Sequence, residues 1–288
     1  MENNWWGSTD INNVVAGIYD FSNNGGCAFA DFLPYLDASG GNPVYGPSTG
    51  GTWIKAWVYT NTTWDVAGSP YIIIGHTLVN TPATLTIDPG VEVKFNGNYY
   101  LDVDGRLVAN GTETQPIIFT SNLTNPTAGS WNEIRLASSV PPSSMSYCHV
   151  RYSNGGIYLD PTTATSPVVL DHCVIKRSST YGIRIEGGQT TPVQISNCEV
   201  DSCGGTAIYT SSGDAVLTGN TITNFSSRGI YGAGSSLDLT ISGGTITQIG
   251  SMYLGGGNGI YIDDVSSMTC SNNTVNWCSN GLYINRDC

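Results

Sequence analysis

Charge is scarce in this sequence, and positive charge scarcer still. Of the 288 residues, 11% are Asp, Glu, Lys or Arg; ten are basic and 22 acidic, for a formal net charge of −12. That balance argues against nucleic acid as a partner, because phosphate contacts need Lys and Arg. Long apolar runs are missing too. No stretch of about 18 apolar residues occurs, so no membrane span is expected. The opening Met1-Glu-Asn-Asn-Trp-Trp-Gly7 is neither basic nor followed by an apolar core, so it is no secretory leader. The expectation is a mature or excised segment, or an added initiator methionine. The eight cysteines (Cys27, Cys148, Cys173, Cys198, Cys203, Cys270, Cys278 and Cys288) form no CxxC, Cys/His zinc or CxxCH haem spacing, and no metal or cofactor is expected. No window of the repeats described below carries a helix-length apolar stripe.

What is abundant is Gly (36 residues), Tyr (16) and Trp (7), in a background of Ser, Thr and Asn. Six stretches repeat one pattern around a marker residue: Cys148, Cys173, Cys198, Asn220, Gly244 and Asn273. Two residues after each marker stands Val150, Ile175, Val200, Ile222, Ile246 or Val275; three before it stands Met145, Leu170, Ile195, Leu217, Ile241 or Cys270. A third apolar position follows at Ile157, Ile183, Ile208, Ile230, Ile260 and Leu282, the fifth after an insertion. Each repeat alternates with period two. In the third, Val193, Ile195, Cys198, Val200, Ile208 and Thr210 point in, while Gln194, Ser196, Glu199, Asp201 and Tyr209 point out. Units of this length cannot bury a face alone, and stacking them makes one continuous core. The expected fold is mainly β, a right-handed parallel β-helix of about eight or nine coils between residues 84 and 288. At the marker, stacked Asn would ladder its amides and stacked Cys would act as a small hydrophobe. Free thiols are expected in that stack, with a local Cys198–Cys203 bridge left open.

Three segments carry a family likeness: Ala83-Thr-Leu-Thr-Ile-Asp-Pro-Gly-Val-Glu-Val-Lys-Phe95, Leu101-Asp-Val-Asp-Gly-Arg-Leu-Val-Ala-Asn-Gly-Thr112 and Gln115-Pro-Ile-Ile-Phe-Thr-Ser121, followed by Trp131 with Glu133-Ile134. They resemble the opening coils of secreted right-handed β-helix proteins of the pectate-lyase-like type. The resemblance covers residues 53–288 and implies the fold and an extracellular or cell-surface address. It implies no single activity, because function lives in sites and not in this fold. None of the family's lyase or polygalacturonase signatures occurs.

The first 37 residues resemble the end of such a domain. Asn3-Asn-Trp-Trp-Gly-Ser-Thr-Asp10, Ile18-Tyr-Asp20 and Phe32-Leu-Pro-Tyr-Leu36 look like a closing strand followed by a covering helix. Thr9 or Asp10 can cap a helix to about Tyr19 with Ile11, Val14, Val15 and Ile18 on one face. The expected organisation is therefore a capping segment over 1–37, a Gly/Pro/Ser linker over 38–52 and the β-helix over 53–288. An ending placed first leaves two readings open. The chain is a piece of a tandem β-helix array, or the N-terminal segment of one subunit caps the bare last coil of the next.

Two lateral features are candidate sites. The residue after each third apolar position is Tyr158, Arg184, Tyr209, Tyr231, Tyr261 or Tyr283. Stacked, they would form an outward aromatic ladder able to meet a sugar ring, an Arg plane or a partner, or simply to stack on itself. His149, Arg151, Lys176, Glu199 and Asp201 point outward on neighbouring coils and are the best catalytic candidates, against a bland reading of cross-strand charge pairing. His76 and His172 have no evident partners. The reading favoured by the sequence is a non-catalytic extracellular scaffold, stalk or filament subunit. It would join copies of itself or neighbouring β-helices through Asn4, Trp5 and Trp6 against Leu282, Tyr283 and Ile284. The alternative is a polysaccharide-binding or polysaccharide-degrading module working through the lateral face.

Overall fold

The computed structural model describes residues 35–36, 43–44, 51–55, 57–137, 142–160, 167–187, 191–248 and 257–285. From Thr52 onward the chain winds into a solenoid in which each coil gives one strand to each of three parallel sheets, of ten, ten and nine strands. The first sheet runs from Thr52–Ile54 to Thr274–Asn276 and the second from Trp57–Val58 to Leu282–Asn285. The third runs from Thr62–Trp64 to Ser267–Ser271. At the usual spacing between strands, ten rungs make a rod about 43 Å long.

The period-two reading holds along the rod. Val193, Ile195, Cys198, Val200, Ile208 and Thr210 are buried, while Gln194, Ser196, Glu199, Asp201 and Tyr209 reach solvent. Early coils fill the lumen with aromatics: Phe95 stacks on Trp131 with centroids 3.9 Å apart, and the Trp131 indole N–H donates to the Arg151 carbonyl at 2.8 Å. Later coils fill it mainly with Ile, Leu and Val, together with Phe225.

The corners explain how so short a coil closes. In several coils the first-sheet strand lies between two residues in the left-handed region. Before it come Tyr147, His172, Asn197 and Asn272, with Gly219 and Gly243 in the coils between; after it come Tyr152, Arg177, Ser202, Asn224 and Trp277. A single left-handed residue turns the chain sharply without a loop, at a conformational cost of about 1 kcal/mol for a non-glycine side chain.

The marker position behaves partly as expected. Cys148, Cys173 and Cys198 are buried free thiols. Cys198 and Cys203 are both free thiols, so the local bridge left open by the sequence does not form. The asparagines do not ladder amide on amide, since Gly244 stands between their coils. Instead Asn220 accepts the Cys198 N–H and donates to the Ile195 carbonyl, and Asn273 treats Gly244 and Ile241 in the same way, all at 2.9 Å. A Cβ on Gly244 would stand 3.2 Å from both the Asn220 carbonyl and the Asn273 amide oxygen, so the bare residue fits this column.

Upstream, Tyr35–Leu36 pairs antiparallel with Pro43–Val44, which lies inside the stretch read as a linker. The expected capping strand and helix within 1–34 lie outside the described residues.

Candidate functional site

The predicted aromatic ladder is one continuous column on the second sheet. Tyr158, Arg184, Tyr209, Tyr231, Tyr261 and Tyr283 are successive register partners, and Arg135 and Asp102 extend the column upward. Ring centroids from Tyr209 to Tyr231, Tyr261 and Tyr283 follow at 5.2, 5.2 and 4.9 Å. Arg184 lies 3.9 Å from the Tyr158 ring centre, and Arg228 packs 4.3 and 4.4 Å from those of Tyr231 and Tyr261. Stacking on a sugar needs a free aromatic face. Here those faces are largely taken by the next ring or by a guanidinium, so the column offers ring edges and hydroxyls. Tyr283, on the last rung, has a ring neighbour on one side only among the described residues.

The upper half of this column is a charge network that the sequence reading did not assemble. Arg135 pairs with Asp102 at 3.6 Å and Asp160 at 3.2 Å; Arg184 pairs with Glu186 at 3.5 Å, whose carboxylate also accepts the Tyr158 hydroxyl at 3.1 Å. Glu133, after a register shift in Trp131–Ala137, packs so closely on Gly155 that a Cβ there would collide with its carboxylate. Burial raises the pKa of both Glu133 and Asp102 against the opposing pull of the arginines. The signal was in the sequence: Glu133-Ile134-Arg135-Leu136 continues the same alternation upstream.

On the first sheet the predicted catalytic cluster does come together, and its groups engage one another. Lys176 pairs with Glu199 at 2.7 Å, although its register partner is Asp201. Asp201 instead accepts Thr223 and Asn224, both at 2.7 Å. Burial acts to raise its pKa, but these hydrogen bonds outweigh it and hold the carboxyl below its usual range. Burial, then the Arg151 and Lys176 charges, lower the pKa of His149. Arg151 donates to His149 Nδ1 at 3.1 Å, which places the neutral ring's proton on Nε2 and leaves no free lone pair for a general base. A shallow groove of about 380 Å³ beside it is lined by Glu113, Tyr147, His149, His172, Asn197 and Glu199. His172 has partners after all: it bonds Asp171 at 2.8 Å and stacks on Tyr147. His76 stacks on Tyr100 at 3.8 Å.

The third feature is the end of the rod. In the last described coil, Leu282 and Ile284 continue the inward columns of Ile260 and Ile262, yet stand 47% and 46% exposed. In the first coil Val58, in the same inward column as Ile284, is only 8% exposed. Beside Leu282 a hollow of about 330 Å³ opens among Ile260, Cys270, Asn273, Val275 and Gly281. Trp277, in the left-handed conformation, is 69% exposed. The other half of the predicted assembly interface, Asn4, Trp5 and Trp6, lies outside the described residues.

Comparison with known families agrees with this architecture. The family described as a right handed beta helix region matches residues 134–288, and a pectate-lyase like beta helix domain matches residues 57–145. The chain belongs to the right-handed β-helix family. No curated protein and no solved structure matches it. Among the described residues of this β-helix, no group of three or more His, Cys, Asp or Glu side chains could hold a metal ion. None of the helices formed by those residues is long and apolar enough to cross a membrane.

Proposed function

We propose that this β-helix is a non-catalytic extracellular structural subunit that joins copies head-to-tail through its open last coil. The observation that carries the reading is the exposure of Leu282 and Ile284, two inward positions on the last described strand of the second sheet. An uncovered coil presents both unpaired strand edges and apolar surface, which is a template for strand addition. A heterologous contact of this kind grows filaments unless it closes into a ring. The lateral clusters support the same reading, because Lys176 pairs with Glu199 and the tyrosine rings pack against one another and against Arg184 and Arg228.

Electron microscopy and sedimentation of the full chain test this, with and without residues 1–37. Filaments that grow with concentration and vanish on deletion are the expected result. Monodisperse rods in both samples would overturn the proposal.

The groove beside His149 favours one second reading, a lateral polysaccharide-binding module. It predicts retention on acidic or neutral glycan arrays that is lost in His149→Ala and unchanged by deleting residues 1–37.

A further inference from the structure

One inward column of the first sheet carries thiols on three successive coils. Cys148, Cys173 and Cys198 stand one residue before the register partners His149, Val174 and Glu199. All three are buried and free. The column is closed at both ends: Ile117 is the register partner on one side of Cys148, and on the other side Asn220 bonds the Cys198 N–H.

The three side chains are set alike. Each sulfur contacts the carbonyl two residues before itself, at 3.5 Å for Ser146, 3.5 Å for Asp171 and 3.3 Å for Ser196. Each also contacts a carbonyl from one coil back: Ala109 at 3.1 Å, Met145 at 3.5 Å and Leu170 at 3.7 Å. The Cys173 sulfur interacts with those of both neighbours. A setting repeated in this way carries the strand spacing of about 4.8 Å over to the sulfurs.

That spacing suits a disulfide poorly. The bond needs Cβ atoms drawn in to about 3.8 Å and crossed at a dihedral of about 90°, which parallel side chains a full rung apart do not offer. An ion between two sulfurs fits better. A thiolate–metal bond is about 2.3 Å long, so two of them end to end span about 4.6 Å, close to one rung. Thiolate sulfur selects soft cations, copper(I) among them. Charge decides the valence. An added net charge is costly in a dry lumen, and a monovalent cation that takes the place of one thiol proton adds none. Zinc would add one, and it asks for four ligands in a tetrahedron. The column supplies sulfurs two at a time along a line, which is why no group of three or more ligating side chains gathers round one point. The flanking carbonyl oxygens put the negative ends of their dipoles beside the column, and this too favours a cation.

We infer that the thiol column is a binding site for a monovalent soft-metal cation of the copper(I) and silver(I) class, held linearly between Cys173 and Cys148 or between Cys173 and Cys198. Each ion displaces one thiol proton to solvent, forms one thiolate–metal bond and takes a lone pair from the neighbouring sulfur, with no change of oxidation state. Cys173 is common to both gaps, so the column holds at most two ions. Because the sulfurs are buried, loading accompanies folding or a local opening of the coils. The site is independent of the head-to-tail reading above.

The test uses the full chain with Cys27, Cys270, Cys278 and Cys288 changed to Ser. It is unfolded in urea, refolded with silver nitrate and desalted in the presence of free methionine as a weak competitor. Silver per chain is measured by elemental analysis and its neighbours by X-ray absorption. The inference expects one or two ions per chain, two sulfur neighbours for each, and a Tm above that of the silver-free protein. Cys203→Ser should retain the same amount. Cys148→Ala, with one gap left, should retain no more than one ion. Cys173→Ala should retain none, because the remaining sulfurs stand about 9.6 Å apart. If that variant does not fold, Cys148→Ala combined with Cys198→Ala leaves a single thiol in the column and should also retain none. No silver on the parent protein, equal silver on Cys173→Ala or on the double variant, or an ion with fewer than two sulfur neighbours would each overturn the inference.

Discussion

Asn220 reaches back one coil and accepts the backbone N–H of Cys198 at 2.9 Å. The same amide donates to Ile195, so one side chain satisfies two buried main-chain groups of a neighbouring rung. Truncation orphans both. Asn220→Ala is expected to cost about 2–4 kcal/mol in urea unfolding. Thr221→Ala, one residue on and facing solvent, should stay within about 0.5 kcal/mol.

The acidic residues divide by the sign of their pH effect. Glu133 has a raised pKa from burial, so the native state binds its proton more tightly than the unfolded chain does. Its effect is a loss of stability as pH rises from the unfolded value of about 4.3 through the higher native one. Glu133→Gln should therefore raise Tm at pH 7, with the gain vanishing below about pH 4.

Asp201 behaves the other way. Its net lowered pKa means stability that is present above the unfolded value of about 3.9 and lost as pH falls through the native one. Asp201→Asn should lower Tm at pH 7 and converge with the parent protein in strong acid. Thermal scans from acid to neutral pH would separate the two carboxylates.

Thiol chemistry should report the stack directly. Burial pushes the Cys203 thiol up to about 12 and raises that of Cys148 well above its usual value. Peptide mapping after brief iodoacetamide treatment should find Cys270 modified and Cys148, Cys173, Cys198 and Cys203 protected until the chain is unfolded. Early labelling of the stack would mean that the coils breathe.

The tyrosine column should behave as packing. Tyr231 touches Tyr209, Tyr261 and Arg228. Its loss in Tyr231→Ala is expected to cost about 1–3 kcal/mol of stability. Assembly should be unchanged, as measured by sedimentation at matched fractions folded.

The architecture was legible because a period of two inside a repeat of fixed frame leaves little freedom; Val193 to Thr210 sorted in and out residue by residue. The aromatic column was legible for the same reason. What the frame does not encode is where a long side chain bends. Lys176 leans to Glu199 and leaves its register partner Asp201 to Thr223 and Asn224. The corners were hidden too. Tyr147, Arg177 and Trp277 take a left-handed conformation with none of the glycine that would announce it. Arg228 was overlooked because it precedes its Gly-Ile pair and reaches the ladder from the side.

Among the described residues the strand Leu282–Asn285 has a neighbouring strand on one side only. In a one-dimensional stack each rung is held by its neighbours, and the terminal rung has only one. Opening should therefore travel as a front from that strand inward, with amide protection rising coil by coil toward the Phe95–Trp131 plug. A joint made there removes the rung from which unravelling starts, so in a linear assembly of such rods every interior member would outlast an isolated one.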